Sequence, residues 1–293
     1  FAFQSIPGLD VLGVGSSPED FFDLTIDWGF QTTPQTGANN RVVQYARGKV
    51  LGGSSSRNFM LYQRPTVGAQ NTWVTLTGDP QWSWDNTYAD YKKSVQFTPP
   101  KEALRQESPQ AQYDPSAYSA AGGPLQVSYP NFPQGFSKYA ELSMNENGIN
   151  TIRDFNVGKL LGTQYAAATI NPKGGYRSSS RASFLEAART RPNLDVFQGA
   201  LAKKILFDTT GSTPRATGVT FTKTVLGLLP TTYTVTAKRE VIISAGAFQT
   251  PQLLKVSGIG PQAELKSFGI PVLVNNPNVG ENMQVSGERK DAH

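Results

Sequence analysis

Cysteine is absent from this sequence, and histidine nearly so: the single histidine is His293, the last residue. Without cysteine there are no disulfides, no thiolate nucleophile and no zinc–thiolate site, and no metal site is expected. The absence suits a reducing compartment as well as a secreted chain large enough to fold without disulfides. Without an internal imidazole, the usual general base near neutral pH is not available, and no catalytic residue can be assigned. Long apolar runs are missing too. No stretch approaches the ~18 residues of a membrane-spanning helix, so no membrane partner is expected. Runs of like charge are also missing. The formal net charge is +5, but the 27 basic residues are scattered, so no nucleic-acid partner is expected. No Asn-x-Ser/Thr acceptor for glycosylation occurs. The chain opens FAFQSIPGLD, with neither an initiator Met nor a signal-peptide pattern, and its N-terminus is expected to be missing or processed.

What is present suits a globular chain. Of 293 residues, 38% are hydrophobic and 11% aromatic, too many for a disordered chain. The length allows one large domain or two ordinary ones.

The stretch RGKVLGGSSSRNFM, residues 47–60, combines a glycine pair, a serine run and flanking cations. Gly52 and Gly53 let a ligand approach the backbone closely. Ser54, Ser55 and Ser56 are good helix N-caps, and Asn58 to Tyr62 could continue as helix. A helix N-terminus with Arg47 and Lys49 nearby suits an anion such as phosphate. A plain Gly/Ser turn is the alternative that local sequence leaves open. The other glycine-rich stretch, VLGVGSSPED at 11–20, is a decoy: Pro18 stands where a dinucleotide fingerprint needs its third glycine.

Residues 1–46 read as loop. Residues 79–96 read as a turn and a helix capped by Asp85, with Tyr88 and Tyr91 on one face. Residues 97–135 read as a long irregular connection with one short strand in GGPLQVSYP (122–130). A helix over 136–150 is stopped by Gly148, and another within SRASFLEAARTRPNL is ended by Pro192. Strands follow in 194–208, 215–225 and 231–246, the last two pairing across 226–230. Val241, Ile242 and Ile243 read as a strand buried on both faces of a short parallel sheet. The turn Ala245-Gly246-Ala247 then leads to a helix with Thr250 as N-cap, Pro251 in its first turn and Gly258 as its stop. Nucleotide-binding folds place such strand–turn–helix units against a ligand; a structural turn with no ligand is the alternative.

GKVLGGSSSRNFMLYQRP (48–65) and GAFQTPQLLKVSGIG (246–260) together resemble the two signatures of the glucose–methanol–choline (GMC) oxidoreductases, FAD-dependent alcohol oxidases and dehydrogenases. One position departs from the pattern: Arg57 stands where an aliphatic residue is usual. DFN (154–156), GGYRSSSRASFLEAARTRPNL (174–194) and IPVLVNNPNVGENMQ (270–284) extend the resemblance over about residues 20–284. Its style is closest to fungal aryl-alcohol oxidases. The resemblance implies an α/β fold, an incomplete Rossmann-like FAD-binding domain of the GMC type. It lacks the first βαβ unit and the C-terminal segment with the catalytic histidine, so the chain looks truncated at both ends. Residues 1–284 would be the central part of that domain, with 65–170 as an irregular insertion and 285–293 as an unrelated tail.

The resemblance also implies site residues. Val50, Gly52, Gly53 and Ser54 would line FAD through backbone groups. Asn58, Phe59, Met60 and Leu61 would lie near the isoalloxazine, Leu201 at the adenine end, and Ala245 and Gly246 would close the same cleft. The family reaction oxidises the CH–OH group of an alcohol, passes hydride to the flavin, and returns electrons to O2 or a quinone-type acceptor. The alternative reading is a catalytically inactive fragment or relic with a binding role or none. A nicotinamide-dependent Rossmann enzyme is disfavoured by the missing glycine fingerprint.

Overall fold

The computed structural model describes residues 5–20, 23–105, 111–223 and 229–283. The chain is mixed α/β and divides between Leu194 and Asp195 into two compact units.

In the first unit the strands are β1 (Phe30–Gln31), β2 (Gln44–Tyr45), β3 (Leu61–Tyr62), β4 (Val95–Phe97), β5 (Leu125–Val127), β6 (Ala167–Ala168), β7 (Ile170–Asn171) and β8 (Tyr176–Arg177). They pair locally: β1 with β2, β3 with β6 and β7 with β8 antiparallel, β4 with β5 parallel. The core gathers on β4, β5 and β6, where Val95, Val127, Tyr129 and Ala167 are buried with Ala111. Phe97 stacks on Tyr118 beside it, with ring centroids 3.8 Å apart.

Helices α1 (Val67–Thr77), α2 (Trp84–Ser94) and α3 (Phe136–Glu146) lie within 65–170, α2 and α3 where the sequence implied helices. Thr66 caps α1 by accepting from the Ala69 N–H, and Gly78 closes it in a left-handed conformation. Ser83, not Asp85, caps α2. Asp85 falls in the first turn, where its charge faces the positive end of the helix. Helix α3 ends before Gly148, whose φ is +82°, as the sequence implied. The helix expected over 180–194 is shorter: a π-turn at Arg181–Leu185 runs into α4 (Glu186–Ala188). Ser179 and Ser183 exchange side-chain bonds with the backbone there. Such bonds compete with regular helix, and Pro192 disfavours helix at the residue before it.

The second unit is built on the antiparallel sheet β11 (Thr231–Thr236), β10 (Arg215–Lys223), β9 (Ala200–Asp208). Pairing of β10 with β11 across 226–230 agrees with the sequence reading. Helix α5 (Gly246–Val256), the parallel pair β12 (Ile259–Gly260) and β13 (Val274–Asn275), and α6 (Gln262–Ser267) complete it. Ser257 ties α5 to the sheet: its Oγ donates to the Leu253 carbonyl at 2.6 Å and accepts from the Ile205 N–H at 2.9 Å.

The parallel strand expected at Val241–Ile243 does not form. These residues are outside every strand, and Ile242 is 77% exposed. A β-branched run becomes a strand only where a neighbour completes its hydrogen bonds, and among the described residues none pairs with it. Helix α5 also starts four residues before its expected cap, at Gly246, with Pro251 inside it. Thr250 Oγ1 accepts from the Ala245 N–H at 3.1 Å, tying the start of α5 down from within the helix. The stop at Gly258 (φ +94°) is as expected. The tail expected at 285–293 lies outside the described residues.

Candidate functional site

The serine run after the glycine pair makes one 3-10 turn, Gly53–Ser56, and not the expected helix through Tyr62. The backbone explains this. Gly52 and Gly53 are both left-handed, Met60 is left-handed at φ +62°, and Leu61–Tyr62 pairs as β3 with β6. A left-handed methionine costs roughly 1–2 kcal/mol, so its surroundings must hold it. Asn58 Oδ1 accepts from the Met60 N–H at 3.1 Å, an Asx turn. The Met60 carbonyl accepts from the Thr169 N–H at 2.8 Å. The Met60 side chain is buried with Ala168 and Ile170.

Side chains lock the turn from inside. Ser55 Oγ donates to the Gly52 carbonyl at 2.6 Å, and Ser56 Oγ to the Leu51 carbonyl at 3.0 Å. Ser54 Oγ accepts from the Gly48 N–H at 3.3 Å. The second serine run, RSSSR at 177–181, docks on the first. The Ser180 N–H donates to Ser55 Oγ at 3.0 Å, and Ser180 Oγ donates to the Gly52 carbonyl at 3.2 Å. Arg177 Nη1 reaches the Asn58 carbonyl at 2.6 Å, Asn58 Oδ1 at 2.8 Å and the Ser55 carbonyl at 3.3 Å. Burial lowers the Arg177 pKa, with Asp10 partly opposing.

Arg57 is buried. Its guanidinium lies 3.2 Å from the Asp27 carboxylate, also buried, and donates to the Gly13 carbonyl at 2.5 Å. The position where the sequence departs from the family pattern therefore fastens the turn to the segment before it. The two flanking cations do not converge on the turn as a pair. Arg47 lies 3.5 Å over the Tyr45 ring, and Lys49 lies 5.3 Å over the Trp28 ring. Burial lowers the Arg47 pKa, against the opposing charge of Asp27.

Of the residues assigned from sequence, Val50, Gly52, Gly53, Ser54, Asn58, Phe59, Met60 and Leu61 lie on one continuous stretch from just before this turn to the start of β3. Phe59 and Leu61 project from it, 51% and 68% exposed. Both line a cavity of about 800 Å³ whose wall includes Met60, Tyr129, Phe132 and Tyr165. Asp10 and Lys101 are its charged lining residues. Burial, and next the charge of Asp154, push the Tyr129 phenol well above the ordinary range. Tyr129 stays neutral, donating to the Gln112 carbonyl at 3.1 Å. Arg105 lies behind this wall, 4.5 Å over the Tyr165 ring, and donates to the Pro130 carbonyl. Sequence reasoning did not assign Arg177, Ser180, Tyr129 or Tyr165 to the site. The repeated serine run was the available signal for the first two.

Leu201, Ala245 and Gly246 belong to the second unit. Leu201 is exposed on β9 opposite Thr222. Ala245 is the N-cap of α5, and Gly246 opens that helix at φ +93°. Among the described residues no cluster of His, Asp or Glu could hold a metal ion, and no helix is long and apolar enough to cross a membrane.

The family model for GMC oxidoreductase matches residues 15–286. The chain belongs to the GMC oxidoreductase family. Among curated relatives, patulin synthase of Penicillium expansum is 44% identical over 281 residues, covering 96% of this chain and 43% of that protein. Among solved structures, an FAD-dependent oxidoreductase from Chaetomium thermophilum is 32% identical with a TM-score of 0.77, over 92% of this chain and 44% of that one. A fungal aryl-alcohol oxidase is 29% identical with a TM-score of 0.76, over 86% and 41%. The chain thus spans less than half the length of these GMC relatives.

Proposed function

We propose that this chain is the central FAD-binding part of an oxidoreductase acting on the CH–OH group of small alcohols, aryl alcohols included, with O2 or a quinone-type acceptor. Residues 1–284 are read as part of a Rossmann-like FAD-binding domain of the GMC type. The observation that carries the cofactor reading is the turn at Gly52–Leu61. It presents an open glycine, Gly53, where an added Cβ would meet nothing within 4 Å. Beside it, Phe59 and Leu61 are bared toward a cavity large enough for a flat ring system.

These residues fit a flavin. Val50, Gly52, Gly53 and Ser54 would hold it through the backbone, and Asn58, Phe59, Met60 and Leu61 would pack near the isoalloxazine. Leu201, at the adenine end, and Ala245 and Gly246, all in the second unit, are read as cofactor contacts on the family resemblance alone. Bound FAD supplies hydride acceptance. This chain's own share is to orient the ring, exclude water from its face and offer the aromatic wall to the alcohol. Burial keeps the Tyr129 phenol protonated near neutral pH, so it offers no phenolate to take the alcohol proton. With one histidine, at position 293, we assign no catalytic base in the chain and expect no alcohol turnover from it alone. For the isolated chain, the same count supports the second reading, an inactive fragment or relic of the family with a binding role or none.

The test is spectroscopic. The purified chain is expected to carry no stoichiometric flavin absorbance and to show no turnover of benzyl alcohol with a dye acceptor above a flavin-only control. Added FAD is expected to bind weakly, with a change in flavin fluorescence that Gly53→Val abolishes. Stoichiometric flavin with turnover would overturn the expectation of inactivity. A fluorescence change that survives Gly53→Val would remove the turn from the cofactor site.

A further inference from the structure

We propose that Arg177 is a positioning residue for the flavin-side wall of the cavity, acting through Asn58 and the left-handed Met60. Its place within the site rests on the cofactor reading above; the geometry it controls does not.

The wall is an unstable arrangement by local standards. Phe59 and Leu61 flank the left-handed Met60, and all three line one cavity while the Met60 side chain is buried against Ala168 and Ile170. A methionine does not choose that conformation by itself. Its N–H is held by Asn58 Oδ1 at 3.1 Å. An asparagine side chain on the protein surface has several rotamers, and Asn58 is exposed. One contact selects the rotamer: Arg177 Nη1 donates to both Asn58 Oδ1 and the Asn58 carbonyl, at 2.8 and 2.6 Å. The buried guanidinium thus fixes the acceptor that in turn fixes Met60. The Thr169 N–H holds the Met60 carbonyl on the other side at 2.8 Å.

The chain of contacts runs from β8 to the cavity wall, with Arg177 two contacts away from Phe59 and Leu61. Loss of Arg177 is therefore expected to free the Asn58 amide, loosen the Met60 turn and displace the two exposed side chains. A lysine ammonium also carries several donors on one nitrogen, but on a flexible stem rather than a rigid planar fork, so Arg177→Lys is expected to restore the geometry only in part.

The sequence contains three methionines, Met60, Met144 and Met283, which makes the wall readable without flavin. The full chain is labelled with methyl-13C methionine, and the Met60 resonance is assigned by Met60→Leu. Arg177→Ala and the milder Asn58→Ala are each expected to shift the Met60 methyl resonance while Met144, on α3, stays in place. Arg177→Lys is expected to fall between wild type and Arg177→Ala. A Met60 resonance unmoved in both alanine variants overturns the proposal. So does one that moves only together with that of Met144, because that reports general loss of structure. A parallel FAD titration separates the two readings: a shifted Met60 signal in a chain that never binds flavin counts against the cofactor reading alone.

Discussion

Gly52 and Gly53 are adjacent and both left-handed, at φ +91° and +54°, but they are glycines for different reasons. A Cβ on Gly52 would lie 2.5 Å from Ser56 Oγ and 3.2 Å from the Arg181 backbone nitrogen. A Cβ on Gly53 would meet open space. Gly52→Ala therefore adds a steric clash to the backbone cost and is expected to destabilise the chain by about 2–3 kcal/mol. Gly53→Asn places a residue tolerant of this conformation in open space, and is expected to cost less than about 1 kcal/mol. Denaturant unfolding of the two variants checks the order. Equal losses would mean that Arg181 and Ser56 do not press on Gly52.

At the scale of elements, the β4–β5 core depends on neutral phenols. Burial, followed by the charge of Asp154, pushes the pKa of Tyr118 and Tyr129 far above the ordinary value of ~10. Unfolded, both ionise near that ordinary value; folded, they keep their protons to higher pH. The unfolded state then binds fewer protons, so stability falls as pH rises above ~10 and is intact below it. Tyr118→Phe is expected to flatten this alkaline loss, read as denaturant midpoints at pH ~8 and ~10.5. An unchanged slope would mean that Tyr118 does not stay protonated in the fold. In the second unit, Ser257→Ala would leave the buried Ile205 N–H without its Oγ acceptor and separate α5 from β9. The expected cost is about 1–3 kcal/mol, and Ser257→Thr, which keeps the hydroxyl, should recover part of it. Amide exchange at Ile205 provides the local readout, since a loss confined to the end of α5 would leave that amide protected.

At the scale of the whole molecule, the two units meet in sequence at an exposed segment. Residues 191–199 are all exposed, and Arg189 just before them has a side chain 70% exposed. Its ion pair with Glu186, 3.3 Å at the surface, offers little restraint. Limited trypsin digestion is expected to cut first after Arg189 and to pass over Arg191, which Pro192 follows. Mass spectrometry should then find fragments 1–189 and 190–293. An early cut within α2 or β9 would contradict this division. The matching share of the GMC relatives, 43% for patulin synthase, bears on function at the same scale: alcohol oxidation is proposed for the whole protein, and cofactor contacts for this part of it.

The sequence by itself determined the family, because two long signatures carry glycines and serines whose order has no other common use. It also determined elements whose causes are local. Helix α3 stops at Gly148, α5 stops at Gly258, and β10 pairs with β11, because capping, left-handed glycines and alternating β-branched residues act over a few neighbours. Tertiary structure decided the rest. Ser54–Ser56 look like helix caps, yet their hydroxyls go to Gly48, Gly52 and Leu51, and Met60 turns left-handed because Asn58 and Thr169 hold it. Val241–Ile243 have every local property of a strand and form none, since a strand's hydrogen bonds are supplied by residues far away in sequence. Arg177 was not assigned to the site, for although its serine run was a signal, its role depends on distant partners. Its partners lie 119 to 122 positions earlier, and only folding brings a buried guanidinium to the carbonyls that shape the cavity wall.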